Sequence, residues 1–456
     1  MSQLYSEAAA VLAPSLRGSS GSNRNTASLK TRTYSDKVTN KKLTHLLVSE
    51  TLKHREAIDC ILAKCNVELL SLSKNQALVY IYLFELLFGR TKRMLGGGSL
   101  KKQILLLQGQ LEAAKVVVMK TFPELAQREK VPMPRYCRVN TIKSTVKQVL
   151  EEFPHAVLDK HIPLLLHLPA NTDLHDHPLV TSGQLILQDK SSCFPVAALE
   201  MEMEKRKLFA YDSIDCCAAP GNKTTQLCAA IHQRNPKSQV FAFDKSVPRH
   251  ALLQQRMNQA GGKAVCLRDD FLEQSAQDER FQRVRTILLD PSCSGSGSYS
   301  VERTSEAKMK EDDERVTRLA HFQLEILSHA LSFPQVELVS YSTCSILFPE
   351  NELVCQQALD KFGSEWELVE ALPQWSRRGV VKPMGLDEAN TKLVVRADFT
   401  QGDATGGFFL ALFARKQNSG TVATTTELVP STLNRRKRYV VVRNLVTKRI
   451  VRRHEV

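Results

Sequence analysis

Two of the eleven cysteines in this chain sit in settings unlike the rest. Cys293 lies in Leu289-Asp290-Pro291-Ser292-Cys293-Ser294-Gly295-Ser296-Gly297, and Cys344 in Tyr341-Ser342-Thr343-Cys344-Ser345. Each follows an apolar run that reads as a strand. A thiolate adds to C6 of a pyrimidine, and the addition makes C5 nucleophilic; a covalent intermediate divides one difficult transfer into easier steps. Methyl transfer to cytosine C5 would require such a thiol, a second one nearby, and a nucleotide-type pocket. Ser and Gly around Cys293 leave its side chain little to pack against, which favours an exposed, reactive thiol. Cys344 is followed by Ile346, Leu347 and Phe348, so its surroundings alone also allow a buried apolar filler.

A third segment, Asp215-Cys216-Cys217-Ala218-Ala219-Pro220-Gly221-Asn222-Lys223-Thr224, has the composition of a ligand loop between a strand and a helix. Small residues let backbone approach a ligand, Gly221 removes a β-carbon, and the helix that follows offers free N–H groups. Asn222 separates Gly221 from Lys223, so the segment is not a Walker loop, and Gly-x-Gly-x-x-Gly is missing too. ATP and dinucleotides are therefore disfavoured. Acids close four successive strand candidates: Asp215, Asp244, Asp270 and Asp290. One such acid is often a helix cap; four suit a cationic nucleoside such as S-adenosylmethionine, with Asp244 placed to accept ribose hydroxyls. Without any Cys-x-x-Cys pair, no metal site is expected.

These loops must be carried by a framework, and the chain rhythm supplies one. From about residue 207, strand candidates at 211–215, 239–243, 264–267, 286–289 and 336–341 alternate with helical stretches. That pattern predicts an α/β fold with a parallel sheet covered on both faces, ligands binding beyond the carboxyl ends of the strands. A late apolar strand falls at 408–413. Upstream, Leu43, Leu46, Leu47, Ile58 and Leu62 recur at helical spacing, Gly96-Gly97-Gly98 marks a loop, and a helix resumes over 104–119. Residues 135–204 mix short strands and helices, as a small α+β module. The resulting division is 1–40, a disordered basic arm; 41–130, helical; 131–205, the α+β module; 206–416, the α/β core; 417–456, a linker and basic tail.

The net charge of +14 favours a polyanion, nucleic acid first. The odd cysteine count in a long chain argues against a disulfide scaffold and for a reducing compartment. Neither a secretory signal nor an apolar run long enough to span a bilayer is visible.

Taken together, the loop 215–224, Asp290-Pro291-Ser292-Cys293-Ser294-Gly295-Ser296-Gly297 and Ser342-Thr343-Cys344-Ser345-Ile346 closely resemble the Sun-domain RNA cytosine-C5 methyltransferases, the NSUN and RsmB group, in order and spacing. The likeness covers about residues 130–416 and extends to Arg138-Val139-Asn140-Thr141 and Gln188-Asp189-Lys190-Ser191-Ser192. Ser292 replaces the second proline of the usual Asp-Pro-Pro-Cys, and Asn222 the second glycine of Pro-Gly-Gly-Lys. Both departures are similar to one branch, the fifth eukaryotic NSUN member and the yeast Rcm-type enzymes, which act on large-subunit ribosomal RNA.

The resemblance implies a Rossmann-like S-adenosylmethionine-dependent core preceded by a ferredoxin-like RNA-binding module. Cys344 would be the nucleophile at C6, and Cys293 would assist product release. Cys217, Ala218, Ala219, Pro220, Gly221, Asn222 and Lys223 would form the cofactor loop, with Asp244 at the ribose, Arg249 just beyond, Asp270 near adenine, and Asp290 on the cofactor or the cytosine edge. Lys223 would contact the base. The partner would be RNA, as large-subunit rRNA or pre-ribosome, met by a monomer in the nucleus and nucleolus, ahead of the mitochondrion. Three rivals remain on the residues: a family enzyme acting on tRNA or another RNA, a DNA cytosine methyltransferase, and a non-catalytic ribosome-assembly factor. The DNA enzymes carry their nucleophile in Pro-Cys and need a large late insertion, whereas Cys293 follows Ser292. A mere binding module has no use for the thiol pair.

Overall fold

A segment apolar on every side cannot lie at a surface, and Gln76–Leu87 is such a segment. All of this helix except Gln76 and Glu85 is buried. Asn75 starts it, its side chain accepting the Leu78 N–H. Helices Gln3–Leu16, Lys41–Lys53, Arg55–Lys64 and Gln108–Thr121 enclose it. The computed structural model describes residues 2–16, 32–33, 35, 37–122, 133–170, 172–208, 211–298 and 314–417. Residues 1, 17–31, 34 and 36 of the expected basic arm, the whole basic tail and its linker beyond 417 fall outside those residues.

Two expectations for this region are corrected. The arm 1–40 is not disordered throughout, because it opens with the helix Gln3–Leu16, whose Tyr5, Ala8, Ala9, Val11 and Leu12 are buried. Tyr5 meets Tyr82 edge-on, ring centroids 5.3 Å apart. The Gly- and Ser-rich stretch behind the helix had masked its apolar face. Leu43 and Leu46 point outward, 49% and 53% exposed, while Leu47, Val48 and Leu52 face the core. The helix expected at 104–119 is two, Ser99–Leu106 and Gln108–Thr121, broken at Leu107.

Strands β1 (Arg135–Val139), β2 (Val157–Leu158), β3 (Leu165–Leu168) and β4 (Leu185–Leu187) form an antiparallel sheet in the order β2-β3-β1-β4. The helix Val146–Glu152 on it begins with a capping box, Thr145 with Gln148.

The larger sheet has eight strands: β5 (Asp212–Asp215), β6 (Val240–Phe243), β7 (Val265–Leu267), β8 (Val284–Leu289), β9 (Leu338–Thr343), β10 (Trp366–Val369), β11 (Val395–Ala397) and β12 (Phe408–Arg415). Its order is β10-β12-β9-β8-β5-β6-β7, with β11 added against β12. Strands β5 to β9 are parallel. The sheet is not wholly parallel as expected, because β12 runs antiparallel to both β9 and β11. Strands β10 and β11 were not foreseen; at three or four residues they carry too little periodicity to read. Successive residues of a strand face opposite sides, so Leu288, Leu338 and Leu410 join one core, while Leu289, Val339 and Phe409 join the other. Helices supply both layers, Lys190–Arg206 to the first and Glu314–Leu331 to the second. Strand order reverses between β5 and β8, which opens a crevice at their carboxyl ends.

Candidate active site

Because β8 and β9 are parallel neighbours, with Leu289 opposite Tyr341, the loops beyond them emerge side by side. Cys293 Sγ and Cys344 Sγ come within 3.1 Å. Polar contacts hold the loops together: Gly297 N–H donates to the Cys344 carbonyl at 3.0 Å, Ile346 N–H to Ser296 Oγ at 3.0 Å, and the Ser296 and Ser345 hydroxyls meet at 3.0 Å. Gly297 is required by close approach, since a β-carbon there would lie 2.2 Å from the Gly407 carbonyl oxygen.

The two thiols differ from expectation in their exposure. Cys344 is exposed, and Cys293 is half-buried. Contact with Cys344, then burial, then the charges of Glu350 and Asp290 push the Cys293 thiol well above its ordinary range. Cys293 is thus a covered thiol that holds its proton more tightly than usual, rather than the exposed, reactive thiol that its Ser/Gly setting suggested. Small neighbours in sequence leave a side chain exposed only if nothing distant covers it; here the segment after β9 does.

Asp290, directly after β8, takes Lys223 Nζ on Oδ2 at 2.7 Å and the Ser342 hydroxyl on Oδ1 at 2.8 Å. Lys223 also reaches Ser192 Oγ at 3.2 Å. Burial works against the Lys223 charge, but Asp290, Cys344 and Asp215 outweigh it and hold the ammonium above its usual value. A fixed cation therefore stands within electrostatic reach of the exposed sulfur.

The loop after β5 fits a ligand cradle. Ala218 N–H is tied to the Phe243 carbonyl at 2.9 Å. Gly221 has φ +107°, open to glycine above other residues, and a β-carbon there would lie 3.2 Å from Leu253 Cδ1. The helix Asn222–Arg234 starts immediately after it. The Asn222 side chain turns away from the crevice: its Nδ2 donates to the Leu187 carbonyl at 3.1 Å and its Oδ1 accepts from Arg256, which leaves only its backbone for a ligand. Asp244 takes Ser246 N–H on Oδ1 at 3.0 Å and faces Arg249 at 3.2 Å, while Arg249 also donates to the Ala219 carbonyl at 2.7 Å. Asp270 pairs with Lys245 at 2.7 Å; partial burial opposes its charge, but that hydrogen bond and the Leu272 N–H hold its carboxyl below the usual range.

Of the four acids, Asp215 leaves the set. It is 1% exposed, accepts the Thr224 hydroxyl at 2.8 Å, and burial pushes it up to about 7. It braces the loop from beneath. The other three carboxylates stand along the crevice, and with the Ala218–Gly221 backbone they suit a cationic sulfonium on a nucleoside.

Several site residues were not read from the sequence. Ser192 and Ser342 act through Lys223 and Asp290. Glu350, Asn351 and Glu352 have no exposure; their signal was three polar residues in a row between Pro349 and Leu353. Arg138 on β1, 2% exposed, donates to Gln188 Oε1 and to Thr225 Oγ1, each at 2.9 Å. The small sheet thereby grips the first turn of the helix bearing Lys223.

Two family models match this chain: "16S rRNA methyltransferase RsmB/F" over residues 204–414, and "NOL1/NOP2/Sun domain family member 5, ferredoxin-like domain" over 154–188. A 28S rRNA (cytosine-C(5))-methyltransferase from Mus musculus is 34% identical over 457 residues, covering 93% of each chain. The 25S rRNA (cytosine-C(5))-methyltransferase NSUN5 of Arabidopsis thaliana is 35% identical over 437 residues, 91% of this chain and 73% of that one. Among solved structures, NSun6 from Pyrococcus horikoshii with SFG aligns at TM-score 0.50 and 17% identity, over 67% of this chain and 96% of that one. At that identity it speaks for the fold alone.

Proposed function

The chain belongs to the RsmB/F and Sun-domain family of S-adenosylmethionine-dependent RNA cytosine-C5 methyltransferases, and from that premise we propose that it forms 5-methylcytosine in large-subunit ribosomal RNA, with Cys344 as nucleophile and Cys293 as the group that frees the product. The observation that carries the roles is the 3.1 Å approach of the two sulfurs beside the Lys223–Asp290 pair. The rRNA class follows the names of the mouse and plant relatives, which the chain matches over most of its length.

S-adenosylmethionine, held by the 217–223 loop with Asp244, Arg249, Asp270 and Asp290, supplies an electrophilic methyl group. The remaining work falls to the chain. A cytosine in folded RNA is splayed out of its stack to reach the crevice, where Asp290 meets its polar edge and Lys223 stands by. The Cys344 sulfur bonds to C6, the C5–C6 π pair moves to C5, and C5 becomes able to take a methyl. Cys344 is now a thioether without charge or proton, so the largest influence holding the proton on Cys293 is gone. Cys293 gives its proton to solvent water only at this stage, and the thiolate so formed takes the C5 proton. The C6–S bond then breaks, the ring double bond returns, and Cys344 leaves as thiolate. The enzyme acts as a monomer in the nucleolus, where its substrate is assembled.

Substitution tests these roles. Cys344→Ala abolishes methyl transfer to ribosomal RNA, by at least about a thousand-fold. Cys293→Ala allows attack but not release, so a protein–RNA adduct accumulates on denaturing gels. Full turnover by Cys344→Ala would sink the assignment. Bisulfite mapping of ribosomal RNA from cells lacking the protein tests the substrate class: loss of one large-subunit 5-methylcytosine supports it, and loss confined to tRNA overturns it.

A further inference from the structure

Beneath the thiol loops lies a carboxyl group that the steps above leave unused. Glu350 ends the 3-10 turn Phe348–Glu350 after Cys344 and has no solvent exposure. Its Oε1 accepts the Ser294 N–H at 2.7 Å and Gln323 Nε2 at 3.0 Å. The same Gln323 amide donates to the Ser292 carbonyl at 3.0 Å, so both neighbours of Cys293 are tethered. The Tyr341 hydroxyl donates to the Glu350 carbonyl at 2.6 Å and fixes the backbone from below. The other carboxyl oxygen, Oε2, is buried without a hydrogen-bond partner. Gln would give the same tether through its carbonyl oxygen without the penalty of a buried charge. What Glu adds is the charge.

We propose that Glu350 is a positioning residue for Cys293: through the Ser294 N–H and the Gln323 amide its carboxylate ties the turn 292–294 to the segment following Cys344 and sets a negative charge behind the second sulfur. The inference rests on the assignment of Cys344 to attack and Cys293 to release. To contact with Cys344 and burial it adds a further reason why two thiols 3.1 Å apart do not compete for the same carbon. The groups that face Cys293 are Cys344 from the loop after β9, Glu350 from the 3-10 turn, and Asp290 from the end of β8. Asp290 is itself neutralised by Lys223 of the neighbouring helix, and the long helix Glu314–Leu331 contributes the uncharged Gln323. Glu350 is therefore the negative charge behind Cys293 that lacks a cationic partner among the groups just named.

The test is alkylation of the full-length protein with iodoacetamide across pH, read at Cys293 by peptide mass analysis. Glu350→Gln keeps the tether and removes the charge, so the Cys293 midpoint falls by about one pH unit, with about tenfold faster labelling below it. Gln323→Met keeps the charge and removes a donor that offsets it, so the midpoint rises. A role in folding alone would not move the two midpoints in opposite directions. An unchanged or raised midpoint in Glu350→Gln overturns the proposal, as does an unchanged or lowered one in Gln323→Met; if the first variant fails to fold, the second decides. The assay uses neither RNA nor turnover, so its failure is distinguishable from a failure of the catalytic roles, which the Cys344→Ala assay reads.

Discussion

The N-terminal helical region and the crevice of the large sheet bury opposite kinds of residue. Around Gln76–Leu87 the core is aliphatic and aromatic, and the buried polar residues of the neighbouring helix Lys41–Lys53 are the small hydroxyls Thr44, Ser49 and Thr51. Behind the crevice lie Arg138, Asp215, Glu350, Asn351 and Glu352, all 2% exposed or less. Apolar burial stabilises at about 25 cal/mol per Å² and makes no demand on geometry. A buried charge is costly unless every partner is in place. The helical region is thus built for stability, and the crevice gives up stability to hold charges and sulfurs in place.

Loss of Cys344 should have the largest effect of any single change on activity and almost none on stability, because its side chain is exposed. If the crevice is held by its buried charges, Glu352→Ala should be the most destabilising change there. It strands Arg396, whose Nε meets Glu352 at 2.6 Å, and removes the acceptor of the Val380 N–H. Breaking one partner from a buried pair costs about 3–5 kcal/mol, measured by urea unfolding, and methyl transfer should fall with it because Arg396 also holds the Ile346 carbonyl two residues past Cys344. In the helical region, Leu83→Ala should cost about 3 kcal/mol through the cavity it leaves, with methyl transfer at a permissive temperature unchanged. A drop in turnover per folded molecule would show that the two regions are coupled.

A smaller effect, with its sign set by pH, is expected at Asp215. Its folded carboxyl is raised from 3.8 to about 7, so the folded state binds more protons than the unfolded one between those values. Its contribution is fully present below the unfolded value and is lost as pH rises toward 7, by at most about 1.4 kcal/mol per unit. Asp215→Asn should flatten that dependence, leaving Tm similar at pH 4 and raising it at pH 8; a parallel downward shift at both would refute the brace. The smallest effect is expected where charge is exposed. Lys392→Ala breaks the pair with Glu388, both groups lying in solvent, and should change Tm by less than a degree.

Much of the candidate site was legible in the sequence because its parts are local. A strand end, a glycine turn and a helix start occupy a dozen residues, so the loop 215–224, Asp244, Asp270 and the two cysteines could each be placed at a strand terminus by period and turn chemistry alone. The five parallel strands followed from the same rhythm. The helix Gln3–Leu16 was hidden by the Gly- and Ser-rich stretch beside it, and β10 and β11 by their shortness. The direction of β12 was hidden because strand polarity depends on the path taken by the whole connection, not on residues within the strand.

What the amino-acid order determined by itself was the inventory: two sulfurs, a glycine turn and a row of acids, each at the mouth of a strand. Only the tertiary structure decided how they share charge. It set Cys344 outward and Cys293 under cover, matched Asp244, Asp270 and Asp290 each with a cation, withdrew Asp215 into the core and put Glu350 behind the second thiol. Protonation and exposure depend on neighbours within a few ångströms in space, and here those neighbours lie tens of residues away along the chain; Cys293 and Cys344 are 51 positions apart.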